Sequence, residues 1–243
     1  MSSRQTHSLG TRTRRSMRWA IIAIGAFALG WLTWAAVSWV RYDHGSSAAL
    51  GDAAVQRFMP DHEVDELFQT LIRAPAPITF SEAESMSLDA SPIIRTIFRA
   101  REILLGGSSG SPLPPGGVVD QMRAMGWGVL SETPQREIVL GAVTQPWNRD
   151  VVFRSLPQES FASFHAPGFV KILVTIDAAP IDSATSRLRI GTYATTTDPL
   201  SRSRFRRYWA VFSPGILLIR AVILRSVKNA AERRYRSAGL VIR

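Results

Sequence analysis

The densest group of side chains able to move protons is Asp61, Glu63, Asp65 and Glu66, four carboxylates within six residues. Paired carboxylates divide acid and base roles when their surroundings push their pKa values apart. Here they open an alternating segment, and acids at the start of a strand read as a solvated sheet edge rather than an acid/base pair. The four histidines, at positions 7, 44, 62 and 165, are scattered. None has the spacing that sets two imidazoles on one helix face for a metal, and His165 reads as a surface or capping residue. Cysteine is absent, which removes disulfides, thiolate nucleophiles and cysteine metal sites. No G-x-S-x-G elbow, G-x-G-x-x-G turn or Walker sequence occurs. No catalytic residue, metal or cofactor is expected.

Aromatic surface is the chemistry that remains. Trp127, Trp147, Phe164, Phe169, Tyr193 and Trp209 are the candidate lining of an apolar cavity, with Phe161 and Phe212 nearby in type and spacing. Such a pocket suits a hydrophobic ligand oriented by a few polar groups, here Thr192, Thr195 or Tyr193. Most aromatics at strand or helix spacing are core, so each of these is first a packing residue.

Period-2 alternation predicts strands over 64–73, 170–178 and 187–197, and a hairpin of 127–133 with 136–143 turning at Pro134-Gln135. A short helix is expected over 78–86. A second starts at Ser91 as N-cap with Pro92 at its first position, carries Ile93, Ile94, Ile97, Phe98, Leu104 and Leu105 inward, and stops at Gly106. The loop 106–117 is rich in glycine, serine and proline and reads as a plain surface loop, a lid being the alternative. Asp198-Pro199 caps a long terminal helix whose apolar residues Trp209, Phe212, Ile216, Ile219, Ile223 and Val227 recur at helical spacing, with a kink expected at Ser213-Pro214-Gly215.

From Trp19 to Val40 the chain runs 22 residues without a charge, enough at about 1.5 Å per residue to cross a hydrocarbon core of roughly 30 Å. Five arginines and no acid precede it, so this segment is expected to be an uncleaved anchor in the inner membrane with its N-terminus cytoplasmic and the domain outside. A cleaved signal peptide fits less well, because such apolar regions usually run roughly 7 to 15 residues. Tyr208 to Leu224 is a weaker candidate, interrupted by Arg220 and broken by Pro214. Net charge is +5 over residues 1–18, −5 over 41–201 and +10 over 202–243. A basic last helix on an acidic domain points to anionic lipid rather than nucleic acid.

Five strings in order, APAPITF, SPIIRTIFRARE, GWGVLSETPQREIVLG, FHAPGFVKI and TTTDPLSRSRFRRYW, resemble the SRPBCC superfamily, the START-like and polyketide-cyclase-like helix-grip proteins. The resemblance implies an α+β fold in which a curved antiparallel sheet wraps a long C-terminal helix and encloses a cavity, here preceded by one transmembrane helix. The expected division is a basic tail at 1–18, the membrane helix at 19–40, a linker at 41–60, the helix-grip domain at 61–236 and a tail at 237–243. The strand over 188–196 lacks the acid found in many relatives. The implied function is that of a membrane-anchored module binding a lipid or other hydrophobic small molecule in the internal cavity. The alternatives are an interaction domain at the membrane surface without ligand and a cyclase-like enzyme.

Overall fold

The computed structural model describes residues 9–42, 53–106 and 113–241. Helix α1 (Leu9–Arg41) is followed by a short α2 (Ala53–Phe58), strand β1 (Val64–Ile72), α3 (Ala76–Ser85) and α4 (Pro92–Leu105). After α5 (Val118–Ala124) come β2 (Gly128–Thr133), β3 (Glu137–Thr144), α6 (Gln158–Ala162), β4 (Val170–Pro180), β5 (Ser186–Thr196) and α7 (Pro199–Val241). The strands form one five-stranded sheet in the order β1-β5-β4-β3-β2, antiparallel throughout. An antiparallel sheet with a long C-terminal helix packed along it is the helix-grip arrangement.

Alternation along the strands sorts side chains between two faces. Register places Leu140 opposite Val174 and Val174 opposite Thr192, while Ile138, Ile176 and Ile190 form the next row. This inner face packs against Phe80 of α3, Ile94 of α4, Val119 of α5, and Ile223, Leu224 and Val227 of α7. Each fully buried leucine or isoleucine there stabilises by about 1.5–3 kcal/mol. The outer face carries Leu130, Val139, Leu173 and Tyr193 under Val55, Phe58 and Met59, with Phe161 of α6 beside them. The stretch 53–59, read as linker from its composition, therefore closes the back of the sheet; residues 43–52 lie outside the described part.

Local signals explain the boundaries. The β2–β3 turn is tight, with Arg136 N–H donating to Thr133 O at 3.1 Å and Gln135 at φ 60°. Helix α4 starts at Pro92 and ends at Gly106, whose φ of 68° is left-handed and whose N–H closes onto the last turn. Helix α7 begins where Asp198 accepts from Ser201 N–H at 2.9 Å and Ser201 Oγ–H at 2.6 Å. Pro199 follows in the first turn, where its missing N–H costs nothing. Those bonds and one from Gly168 N–H hold the Asp198 carboxyl well below the usual range. The helix then runs on through Pro214 to Val241, so no helix break occurs where the kink was expected.

Two expectations about apolar helices change. On α4 only Ile94 is buried, while Ile93, Phe98, Ile103 and Leu104 are exposed. The helix meets α7 with Ile97 close against Gly215 and Arg101 over Tyr208, and the exposed apolar side chains stay uncovered among the described residues. Among the described residues, the helix long and apolar enough to cross a membrane is α7 at the C-terminus, a third of that stretch being buried; α1 contributes a shorter apolar stretch, Leu29–Val40. Trp19 is 63% exposed, and Ile21, Ile22, Leu29, Leu32 and Val40 are exposed with it.

Candidate functional site

A groove of about 340 Å3 opens between the end of α4, the loop after β3 and the first turns of α7. Residues 204, 207, 208 and 211 share one face of α7 because they recur at three and four. Leu105 and Trp147 stand opposite them, and Phe212 completes the wall. The floor is apolar and aromatic, and no acid among the described residues lines it. Arg204 and Arg207 are exposed at its rim. Arg101 braces the wall, with its guanidinium 5.9 Å from the Tyr208 ring centroid and one N–H donating to Pro146 O at 3.0 Å. The Trp147 Nε1–H is sealed from solvent and has no acceptor among the described residues, at a cost of about 1–3 kcal/mol for a buried donor left unmade.

The groove is joined to the end of α1 by stacked rings. Tyr42 meets Phe205 edge-on at 6.1 Å, Phe205 stacks on Tyr208 at 6.2 Å, and Tyr208 stacks on Phe212 at 4.8 Å. Polar contacts fix the same junction. Arg206 donates to Trp39 O at 2.7 Å and lies 4.2 Å above the Trp39 ring. Ser213 Oγ is 3.3 Å from both Trp34 Nε1 and Ser38 Oγ. Glu63 accepts from Tyr42 O–H and from Thr196 Oγ–H at 2.6 Å, with Arg202 Nε at 3.8 Å. One carboxylate thus ties α1, β1, β5 and α7 together.

Two of the acids that open β1 are taken up by the fold, while Asp61 is exposed. Glu63 is spent on this junction, and the Asp65 side chain has no exposed surface, lying 3.7 Å from His62 Nε2. His62 in turn stands edge-on to Tyr193 at 5.5 Å and approaches Met59 O at 3.2 Å through Nδ1. An Asp-His-Tyr cluster resembles a proton relay, but α2 and the sheet bury it. Gly191 is required beside it, because a Cβ there would sit 2.5 Å from both Thr175 Oγ1 and the Tyr193 ring. Further buried polar groups bond within the fold. Arg220 donates to Thr192 Oγ1 at 2.6 Å. Lys171 donates to Ala162 O at 2.9 Å at the end of α6, and burial pushes its pKa below the ordinary lysine value.

Of the six aromatics proposed from sequence, Trp147 lines the groove. Trp209 packs just behind it with Phe205, Val64 and Val170. Trp127 pairs with Phe153 at 5.1 Å in the main core, and Phe164 pairs with Phe169 at 5.7 Å. Tyr193 lies on the outer face of the sheet, away from α7. Thr192 is on the inner face, bonded to Arg220. Sequence reasoning missed Arg204, Arg207 and Leu105. The available signal was the run of bases and aromatics at 204–212, which reads first as a basic helix.

No protein family matches the sequence, and no curated protein matches it. Two solved structures are similar in fold. One is a conserved protein from Geobacillus kaustophilus, 12% identical, with a TM-score of 0.34, covering 70% of this chain and 96% of that one. The other is the Zhui aromatase/cyclase from Streptomyces sp. R1128, 15% identical, with a TM-score of 0.27, covering 72% of this chain and 98% of that one. At these scores neither carries an argument about chemistry, and function rests on the geometry of the chain itself.

Proposed function

We propose that this chain is a binding module for a lipid or other hydrophobic small molecule, held at the outer face of a cytoplasmic membrane by α1. The carrying observation is the apolar groove stacked, ring upon ring, onto the end of a helix that exposes tryptophan, isoleucine and leucine along its length. Exposed apolar surface on that scale marks a membrane or partner contact, and a ligand leaving the bilayer along α1 would meet the groove first. α7 is the poorer span, since its middle packs on the sheet and Arg220 bonds to a strand. The buried Asp65-His62-Tyr193 cluster gives no substrate access, which ranks a cyclase-like enzyme below binding. An interaction domain is the second reading, favoured by exposed Phe98, Ile103 and Leu104 on α4.

Native mass spectrometry of the full chain released from detergent tests binding. A retained lipid-like ligand, lost in a Trp147→Ala, Phe212→Ala variant that still folds, is the expected result; no retained ligand would turn the assignment to interaction. Protease added to spheroplasts tests topology. The domain should be digested and the arginine-rich tail protected, and a domain protected until lysis would reverse the orientation.

A further inference from the structure

The groove combines two features that an apolar ligand does not need: two arginines at its rim and a lining without an acid among the described residues. Four other bases on α7 are held by the protein. Arg202 faces Glu63, Lys228 faces Glu232, Arg234 faces Glu82, and Arg206 holds Trp39. Arg204 and Arg207 have no acidic partner within 4 Å among the described residues. A guanidinium pair offers hydrogen bonds to carboxylate or phosphate oxygens. Leu105, Val211 and Phe212 offer nothing but apolar contact.

We infer that the groove takes an anionic membrane amphiphile, its carboxylate or phosphate head held by Arg204 and Arg207 and its tail laid against Leu105, Val211 and Phe212. This inference rests on the binding-module reading and adds the charge and polarity of the ligand. The place of the groove favours a ligand drawn from the bilayer. Arg206 bonds to Trp39, which closes the apolar run of α1 where indoles favour the headgroup level, and Arg204 and Arg207 lie within about one helical turn of Arg206. The volume, about 340 Å3, is at the small end for ligand sites. It suits a head and the first part of a chain, with the remaining tail on the exposed apolar surface at Leu104 and Val211.

The test is fluorescence titration of the full chain in maltoside micelles with dansyl-undecanoic acid and with its methyl ester. The acid should bind about tenfold or more tightly than the ester, the effect of removing charged hydrogen bonds. Arg204→Ala with Arg207→Ala should bring the acid down to the ester, and Arg225→Ala on an exposed turn should leave it unchanged. Lysophosphatidic acid or oleate should displace the probe, and which of them does so better distinguishes a phosphate from a carboxylate head. Equal binding of acid and ester, equal displacement by lysophosphatidylcholine, or displacement by inorganic phosphate alone would overturn the anionic-amphiphile assignment while leaving binding intact. If neither probe binds, the binding-module reading falls with it.

Discussion

Glu63 should couple the membrane helix to the domain, and a double-mutant cycle measures that coupling. Its carboxylate accepts from Tyr42 and Thr196, and only 14% of its side chain is exposed. Hydrogen bonds to a charged group contribute about 1.5–3 kcal/mol net when buried and less when partly wet, so Glu63→Ala should cost about 2–3 kcal/mol. Tyr42→Phe keeps the ring packed on Phe205 and removes only the hydroxyl, at a cost of about 1 kcal/mol. Because the two side chains share one bond, the double variant should cost about as much as Glu63→Ala alone, a coupling of about 1 kcal/mol. Thermal unfolding of the full chain in detergent, followed by tryptophan fluorescence, reads this as roughly 2–4 °C for each kcal/mol in a chain of this size. Strictly additive losses would mean that Tyr42 does not reach Glu63, and the docked-anchor geometry would be wrong.

Gly191→Ala should lower stability by about 1–3 kcal/mol, because its Cβ would meet Thr175 and Tyr193, both buried; a denaturation midpoint equal to wild type would show that the outer face is loosely packed. Asp198 titrates lower folded than unfolded, so the unfolded chain takes the proton first and stability falls as pH drops below about 4. Asp198→Asn should flatten that acid limb, and an unchanged limb in urea titrations would refute the cap assignment. Lys171 behaves in the opposite range. Its folded pKa is depressed from 10.5, so the unfolded chain keeps its proton to higher pH and stability should rise through the alkaline window just below that value. Lys171→Met should abolish the rise, which midpoints measured at about pH 8 and about pH 10 will show.

The strand spans and the positions of α3, α4 and α7 were legible because they follow from short-range rules. Alternation predicted 64–73 and 170–178 and the structure forms β1 and β4 there, while Pro92 and Gly106 bracket α4 as their backbone preferences require. Which face of an element meets protein is not a local property. The α4 pattern correctly announced an amphipathic helix, yet most of its apolar side chains stay exposed, Ile93, Phe98, Ile103 and Leu104 among them. Tyr193 and Thr192 both read as cavity residues, but neighbours on a strand point to opposite faces, and the register with β4 sends Tyr193 outward and Thr192 inward. Asp65 reads as part of a solvated edge, yet its side chain has no exposed surface and lies 3.7 Å from His62 Nε2.

What the sequence determined by itself was composition-limited: no cysteine chemistry, no nucleotide motif, an apolar run behind an arginine-rich tail, and an α+β order ending in a basic helix. Only the tertiary structure decided that the chemistry gathers where α4, the loop after β3 and α7 converge. Trp147 and Arg204 are 57 residues apart in sequence, and nothing in their neighbours marks them as partners. Folding encloses the indole N–H away from water and leaves the arginines without acids, and both conditions depend on what other segments fail to supply.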